Sequence, residues 1–269
     1  MFGKEKVGES STALVTGASS GIGLELARVL ARHGHNLVLV ARDEIKLNEI
    51  AKELGKENNV TVKIIAKDLS NQSAPTEIYD LLHNESVSVD VLVNCAGTAT
   101  LGLFADVDLA SQMKMIQVNV FALTVLTHLF LKDMLNRGRG KVLNVASTAA
   151  FQPGPLMALY YATKAYVLSF SEAIANEVSG SGVSVTALCP GPTKTAFQVK
   201  TGTDKTRLLH NRMLDILPAE TVAKIGYSGL MSNKTVVIHG FKNRITALLV
   251  RIMPRQWVTK VTRRMQEQA

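Results

Sequence analysis

Cysteine is scarce in this 269-residue sequence, which contains only Cys95 and Cys189. Two cysteines exclude a scaffold held by several disulfides, and without a His/Cys cluster beside them they cannot build a closed zinc site. Residues 1–10 (MFGKEKVGES) are a polar N-terminal tail that lacks the apolar core of a signal peptide. No uninterrupted apolar run reaches the roughly 18 residues of a membrane-spanning helix. These absences predict a cytoplasmic protein without a metal ion.

Acidic residues are scarce only at the end of the chain. Residues 241–269 carry seven Lys/Arg and one Glu, a net charge of +6. The other 240 residues carry 23 basic and 21 acidic residues, a net charge of +2. The body of the protein is therefore nearly neutral, and its charge does not indicate nucleic-acid binding.

The hydrophobic residues, 46% of the chain, follow a regular pattern. Short β-branched runs predict strands at 12–16, 36–40, 60–66, 90–94, 141–147, 183–189 and 235–240. Helical spacing predicts helices near 21–33, 43–55, 74–84, 109–136 and 157–179. This alternation is typical of βαβ units, so we predict one α/β domain over 11–240 with a parallel sheet covered on both faces. The long polar segment 191–217 is predicted to be a substrate loop.

A glycine-rich turn directly follows the first predicted strand. Residues 16–23 (TGASSGIG) have the spacing G-x-x-x-G-x-G and open a predicted helix. Glycine permits the tight turn and lets backbone approach a pyrophosphate, while the helix N-terminus offers free N–H groups to the phosphates. We therefore predict a dinucleotide-binding turn made of Gly17, Ser19, Ser20, Gly21, Ile22 and Gly23.

The second predicted strand ends at Ala41, followed by Arg42. In dinucleotide folds an acidic residue at this strand end binds the ribose 2′-hydroxyl and favours NAD. A guanidinium in its place suits a 2′-phosphate, so Arg42 favours NADP(H) over NAD(H). If Asp43 faced the ribose instead, the preference would reverse.

Tyr160 and Lys164 are four residues apart and share one face of a predicted helix. A nearby lysine cation and an oxidised nicotinamide would lower the tyrosine pKa from its usual value of about 10. Ser147 ends the preceding strand, so it lies at the same sheet edge and its hydroxyl can hold a substrate carbonyl oxygen. Tyr161 is a rival for Tyr160, but the four-residue spacing favours Tyr160 and makes Tyr161 a packing residue.

These motifs, together with NCAG at 94–97, Asn119 and CPGPTKT at 189–195, resemble the classical short-chain dehydrogenase/reductase family in type and order. The resemblance covers about residues 11–240. It implies a single-domain Rossmann fold with a doubly wound, seven-stranded parallel sheet. It also implies hydride transfer between a nicotinamide cofactor and a carbonyl or alcohol. Because the family often pairs the helix near 109–136 across a dimer, it implies a homo-oligomer, either a dimer or a tetramer.

The family's site residues carry over to matching positions of this chain. Tyr160 resembles the general acid, Ser147 the residue that polarises the substrate oxygen, and Lys164 the residue that binds the nicotinamide ribose. Asn119 resembles the residue that anchors a water in a proton relay to Lys164. The other implied cofactor contacts are Asp68, Leu69, Asn94, Ala96, Gly97, Pro190, Gly191, Thr193 and Thr195. Cys95 departs from the family, which commonly has a second asparagine there.

The C-terminal segment 241–269 is predicted to form two basic amphipathic helices separated by Pro254. Apolar residues recur with helical spacing at Ile245, Leu248, Leu249, Ile252 and Met253, and again at Trp257, Val258, Val261 and Met265. Arginine and lysine residues surround both stripes. This pattern suits peripheral contact with an anionic membrane, and equally a lid or a subunit contact.

The leading interpretation is an NADPH-dependent reductase acting on a hydrophobic ketone or 3-oxoacyl compound. Two alternatives are an NAD-linked alcohol dehydrogenase and a non-catalytic, nucleotide-sensing Rossmann protein. The retention of Ser147, Tyr160 and Lys164 favours an enzyme, because proteins that only sense nucleotides commonly lose the tyrosine or the lysine.

Overall fold

The computed structural model describes residues 11–207 and 216–267, and its centre is a seven-stranded parallel sheet. The strands are β1 (Thr12–Thr16), β2 (Asn36–Ala41), β3 (Val62–Ala66), β4 (Val91–Asn94), β5 (Gly140–Val145), β6 (Val183–Cys189) and β9 (Val236–Ile238). They lie in the order β3-β2-β1-β4-β5-β6-β9. The predicted doubly wound sheet is thus confirmed. The chain reverses its direction of winding between β1 and β4, which is where such folds bind ligands.

Helices cover both faces of this sheet. They are α1 (Gly21–Arg32), α2 (Glu44–Asn58), α3 (Ala74–Asn84), α4 (Leu109–Arg137), α5 (Ala158–Glu177) and α7 (Ala219–Met231). Neighbouring strand residues point to opposite faces, so Val15 packs with α1, α2 and α7, whereas Leu14 packs with α3 and α4. Each strand is therefore buried on both sides, which explains its continuous apolar sequence.

Helix α4 contains a π-helical segment, Gln117–Ala122, at its centre. By length and composition alone this helix could cross a membrane. However, Leu126, Phe130 and Met134 are buried against the sheet, so it serves as a core helix. The apolar residues Met113, Ile116, Val120 and Leu123 recur with helical spacing, but they do not form one continuous stripe, because Met113 is exposed and Leu123 is buried. The wide π-turn between them rotates one half of the helix relative to the other.

The segment 191–217, predicted to be a loop, contains regular structure. Thr193–Lys194 (β7) pairs in parallel with Leu217–Pro218 (β8), and helix α6 spans Ala196–Thr201. Thr195 is the N-cap of α6 and forms a capping box with Gln198. Residues 208–215 of the predicted loop and the predicted tail 1–10 lie outside the described residues.

The basic C-terminal segment forms the two predicted helices, α8 (Phe241–Ile252) and α9 (Arg255–Gln266). A lid formed by an amphipathic helix is expected to turn its apolar stripe toward the protein. In the structure the stripe of α8 faces outward, with Leu248 62% exposed. The side turned inward carries Asn243 and Ala247. The physical reason is that α8 covers a partly polar cavity rather than the apolar core.

Candidate active site

A cavity of about 1020 Å³ opens at the carboxyl edge of the sheet. It begins at the turn after β1 and runs past β4 and β5 to the C-terminal helices. Of the predicted site residues, those that line it are Gly17, Ser19, Ser20, Gly21, Ile22, Gly23, Arg42, Asp68, Leu69, Ala96, Gly97, Ser147, Tyr160, Lys164, Pro190, Gly191, Thr193 and Thr195. Asn94 and Asn119 are outside this lining as the structure describes it.

The glycine-rich turn brings the backbone of β1 against the start of α1. Gly17 has a φ of +69°, and a Cβ on Gly23 would lie 2.3 Å from the carbonyl oxygen of Gly17. Only glycine therefore fits at position 23. Ser20 is the N-cap of α1, and among the described residues its side chain makes no capping bond. The first N–H groups of α1 are thus left for a ligand, as an anion site at a helix N-terminus requires.

Thr16 has a structural role in this site that was not predicted from the sequence. Its hydroxyl accepts hydrogen bonds from the backbone N–H groups of Cys95 (3.0 Å) and Ala96 (3.1 Å) and donates to the carbonyl of Val93. It thereby joins the ends of β1 and β4 across the point where the sheet reverses. The sequence feature that could have predicted this role is a threonine at the end of a strand, just before the glycine turn.

The side chain of Asn94 is engaged in the protein interior, and the role of Asn94 as a cofactor contact stays a prediction. Its amide donates to Thr127 Oγ1 (3.0 Å) and Asn144 Oδ1 (2.9 Å), and the residue is buried. The alternation of side chains along β4 explains the orientation of the Asn94 side chain. Asn94 points to the face covered by α4, while Cys95, Ala96 and Gly97 form the cavity wall.

Basic residues surround the cavity beyond β2. Arg42 Nη1 lies 4.0 Å from Asp68, and Lys114 Nζ lies 3.5 Å from the same carboxylate. Burial raises the pKa of Asp68, but hydrogen bonds from Ser70 and the two cations bring it below its usual value. Asp43 accepts a bond from the backbone of Lys46 and caps α2. Because the Asp43 carboxylate already caps α2, it is less available to bind a ribose hydroxyl.

Ser147, Tyr160 and Lys164 meet where the cavity passes the end of β5. The Tyr160 hydroxyl lies near Ser147, while Ser147 Oγ donates to the carbonyl of Pro190 at 3.5 Å. Lys164 Nζ donates to the carbonyl of Val145 at 2.7 Å and lies 5.9 Å from the centroid of the Tyr160 ring. The predicted cluster is thus assembled in space.

The ionisation of this cluster differs from the sequence-based expectation. Burial raises the pKa of Tyr160 to about 12, and the nearby Ser147 hydroxyl opposes this only in part. Burial lowers the pKa of Lys164 to about 8, against the opposing effect of Cys95 and Cys189. Lys164 is not among the groups that shift Tyr160 here, so the predicted lowering of its pKa is not seen without a bound cofactor. The tyrosine is therefore a protonated donor at neutral pH.

Asn119 lies in the π-helical segment of α4 and holds three parts of the chain together. Its amide donates to the carbonyl of Thr98 (2.9 Å) and to Thr163 Oγ1 (3.1 Å), and its oxygen accepts from the Thr98 N–H (2.9 Å). These bonds occupy the side chain and fix the segment after β4 against α5. The role of Asn119 as a water anchor stays a prediction.

The far wall of the cavity comes from residues outside the predicted catalytic and cofactor-binding sets, several of them in the predicted substrate loop 191–217 and in the C-terminal segment 241–269. Its members include Phe151, Met157, Phe197, Asn243, Thr246, Ala247, Met265 and Gln266. Gln266 Nε2 donates to the hydroxyl of Tyr161 at 2.6 Å, which connects α9 to α5. Tyr161 is buried and packs against Met157, so it has the packing role predicted for it. The sequence feature that could have predicted the contact of α9 with α5 is the four-residue spacing of Val258, Thr262 and Gln266, which places them on one side of α9.

Comparison with known proteins agrees with this geometry. The family described as short chain dehydrogenase matches residues 11–206. This chain belongs to that family. Its members are oxidoreductases that act on alcohol and ketone groups, so the coarse prediction of an enzyme of this class is confirmed.

Several members of the short-chain dehydrogenase family are similar over most of the chain. Mouse very-long-chain 3-oxoacyl-CoA reductase is 32% identical over 250 residues, covering 90% of this chain and 76% of that protein. Mouse 17-beta-hydroxysteroid dehydrogenase type 3 is 34% identical over 206 residues, covering 75% of this chain. The match spans 63% of that enzyme, less than two thirds of its length.

Solved structures of the family have the same fold. The short-chain dehydrogenase from Sphingobium yanoikuyae in complex with NADPH is 31% identical, with a TM-score of 0.80 over 90% of this chain and 93% of that one. A 7beta-hydroxysteroid dehydrogenase is 25% identical, with a TM-score of 0.85 over 94% of this chain and 96% of that one.

Proposed function

We propose that this protein is an NADPH-dependent reductase of hydrophobic ketones. The observation that carries the proposal is the position of Ser147, Tyr160 and Lys164 in one cavity, with the glycine turn at one end and a wall rich in apolar side chains at the other. A hydroxyl pair beside a buried lysine can hold and protonate a carbonyl oxygen. The experiment is to follow NADPH oxidation with a panel of ketones, aldehydes and 3-oxoacyl thioesters.

The residues present fit a nicotinamide dinucleotide. The close approach of Gly23 to Gly17 leaves no room for a side chain, and the start of α1 offers N–H groups for the pyrophosphate. Asp68 and Leu69 would contact the adenine, and Lys164 would bind the nicotinamide ribose. The segment from Pro190 to Thr195 would hold the carboxamide.

The basic cluster beyond β2 supports a preference for NADP(H). Ala41 leaves space at the strand end, and Arg42, Lys46, Lys67 and Lys114 all line the cavity there. A 2′-phosphate would find several cations in reach. The NADPH complex of the similar Sphingobium enzyme favours the same cofactor.

The substrate end favours an apolar ketone. Phe151, Met157, Phe197, Ala247 and Met265 contribute hydrophobic surface to the far wall. Apolar lining of this kind selects ligands by burial of hydrocarbon. The similar mouse proteins are named for a hydroxysteroid and for very-long-chain 3-oxoacyl-CoA, both of which carry large apolar groups.

A nicotinamide cofactor held by these residues would supply the hydride that forms the new C–H bond at the carbonyl carbon. Ser147 donates a hydrogen bond to the carbonyl oxygen and holds it beside Tyr160. As the C=O π electrons move to that oxygen, the Tyr160 O–H bond breaks and its proton forms the alcohol O–H. With the cofactor bound, the ammonium of Lys164 would stabilise the phenolate left behind, an effect absent from the pKa of Tyr160 in the unliganded protein.

Arg42→Ala is expected to raise the Michaelis constant for NADPH by about tenfold to a hundredfold, the value of one charge-assisted hydrogen bond. The constant for NADH should barely change, because NADH lacks the 2′-phosphate. Steady-state kinetics with both cofactors measures the effect. Asp43→Ala is the control: it removes the cap of α2, so it should lower stability by about 1 kcal/mol and leave the NADPH preference intact. A wild-type enzyme that uses NADH better would contradict the assignment.

The pKa of Lys164, lowered to about 8, predicts how reduction depends on pH. Below that pH the lysine is charged and Tyr160 is protonated, so the rate should be constant. As pH rises through about 8, Lys164 loses its charge and kcat/KM should fall, approaching tenfold per pH unit. The measurement is kcat/KM for NADPH from about pH 6 to about pH 10. A profile that stays flat over this range would show that the charge of Lys164 is not needed.

A further inference from the structure

Helix α8 turns its apolar side away from the protein. Ile245, Leu248, Leu249 and Ile252 lie at i, i+3, i+4 and i+7 and are between 39% and 75% exposed. Asn243, two residues before Ile245, is 7% exposed and lines the cavity. Residues two apart on a helix point about 200° away from each other. The apolar stripe is therefore opposite the side that α8 uses to cover the cavity.

The same arrangement continues in α9. Val258, Thr262 and Gln266 are buried, whereas Trp257 is 66% exposed and Val261 is 51% exposed. We call the exposed apolar residues Ile245, Leu248, Leu249, Ile252, Met253, Trp257 and Val261 the outer face. These are seven of the seventeen exposed large hydrophobic residues in 11–207 and 216–267, and they fall within 17 consecutive positions. Such a concentration indicates a binding surface.

Positive charge accompanies the outer face. Arg244, Arg251, Arg255, Lys260, Arg263 and Arg264 are exposed on the same two helices. Arg251, Arg255, Lys260 and Arg264 make no ion pair with any residue that the structure describes. Within 11–207 and 216–267, no carboxylate compensates these four charges, which leaves them available to an anionic partner.

The charge distinguishes between the possible partners. In a symmetric dimer this face would meet its own copy and set two segments of net charge +6 against each other. A nucleic acid would neutralise the cations but leave the apolar side chains in water. A bilayer with anionic headgroups accommodates both the cations and the apolar side chains. The arginines reach the phosphates, while the apolar side chains and a tryptophan enter the interface.

We propose that α8 and α9 bind the surface of an anionic lipid bilayer through the outer face. The apolar side chains provide a contribution that salt does not screen, and the arginines and lysine provide one that salt does screen. The helices lie along the surface and do not span the membrane, since each has only 12 residues.

Tryptophan fluorescence tests this proposal directly, because Trp257 is the only tryptophan in the chain. The full-length protein is mixed with vesicles of phosphatidylcholine, with and without about 30 mol% phosphatidylserine. Co-sedimentation and a blue shift of the emission are expected with the anionic vesicles at low salt. Brominated lipid should quench the emission. High salt should weaken binding without abolishing it.

Substitutions on exposed positions separate the two contributions. Leu248→Ser with Ile252→Ser should lower vesicle affinity by about tenfold or more at any salt concentration. Arg251→Gln with Arg255→Gln should lower it by about thirtyfold at low salt, and much less at high salt. The matched controls lie on α2: Ile45→Ser, where Ile45 is 76% exposed, and Lys52→Gln with Lys56→Gln. They should bind vesicles like the wild type. Thermal unfolding checks that every variant is folded.

Three outcomes would overturn the proposal. The first is the absence of both sedimentation and a blue shift with anionic vesicles at low salt. The second is equal binding to neutral and anionic vesicles, unaffected by salt and by the arginine substitutions. The third is a blue shift that appears without lipid, grows with protein concentration and accompanies a doubling of mass, which would make the outer face a contact between two copies.

Discussion

Tyr160→Phe is expected to lower the rate of NADPH-dependent ketone reduction by a factor of about 10² to 10⁴, the usual effect of losing a general acid. The change removes the hydroxyl that lies near Ser147 and keeps the aromatic ring beside Phe197. With its pKa raised to about 12, this hydroxyl is protonated at neutral pH and is the proton donor of the proposed reaction. Steady-state kinetics measures the rate, and a titration of NADPH binding should give a nearly unchanged affinity.

Tyr161→Phe is the matched control for this experiment. It removes a hydroxyl of the same chemistry from the adjacent residue, where the hydroxyl accepts a bond from Gln266. Turnover should stay within a small factor of the wild type, since the lost bond lies in the wall rather than beside Ser147. An inactive Tyr161→Phe together with an active Tyr160→Phe would exchange the roles of the two tyrosines.

Gly23→Ala is expected to lower the affinity for NADPH by about a hundredfold or more and to destabilise the fold by about 1–3 kcal/mol. The added Cβ would lie 2.3 Å from the Gly17 carbonyl oxygen and 2.8 Å from its carbon. These are backbone atoms of the phosphate-binding turn, so the turn and the start of α1 must separate. Binding titration and chemical denaturation measure the two effects.

Gly55→Ala serves as its control, because Gly55 is also a helical glycine with ordinary φ. There the added Cβ meets its nearest atom, the Val60 carbonyl oxygen, at 3.3 Å. Alanine is favoured over glycine within a helix by about 0.5–1 kcal/mol, which offsets this tighter contact. NADPH affinity should not change. A Gly23→Ala protein that binds NADPH normally would mean that α1 does not hold the pyrophosphate.

The sheet was predictable from sequence because each strand is buried on both faces, so the sequence of each strand is a continuous apolar run. The glycine turn was predictable because the close approach of Gly23 excludes every other residue. Tyr160 and Lys164 were predictable because four-residue spacing on a helix sets their mutual position independently of the rest of the fold.

Other parts of the site depended on tertiary contacts that no local pattern encodes. The side chain of Asn94 points to the sheet face covered by α4 because side chains alternate along β4, and a motif match does not specify that orientation. The inward side of α8 carries Asn243 because the surface that it covers is a cavity with polar groups, whereas periodicity alone would turn the leucines inward. Gln266 reaches the site only because α9 packs back onto α5, far away in sequence.

The π-helical segment of α4 makes the number of residues in that helix as important as their identity. A π-turn holds one more residue than an α-turn, so deleting any one residue of Gln117–Ala122 would leave a helix that can run as regular α-helix throughout. The two halves would then rotate by about 100° relative to each other. Either Leu126 and Phe130 would leave the core, or Asn119 would lose Thr98 and Thr163. Insertions and deletions should therefore be tolerated in the loops at either end of α4 and rejected at its centre.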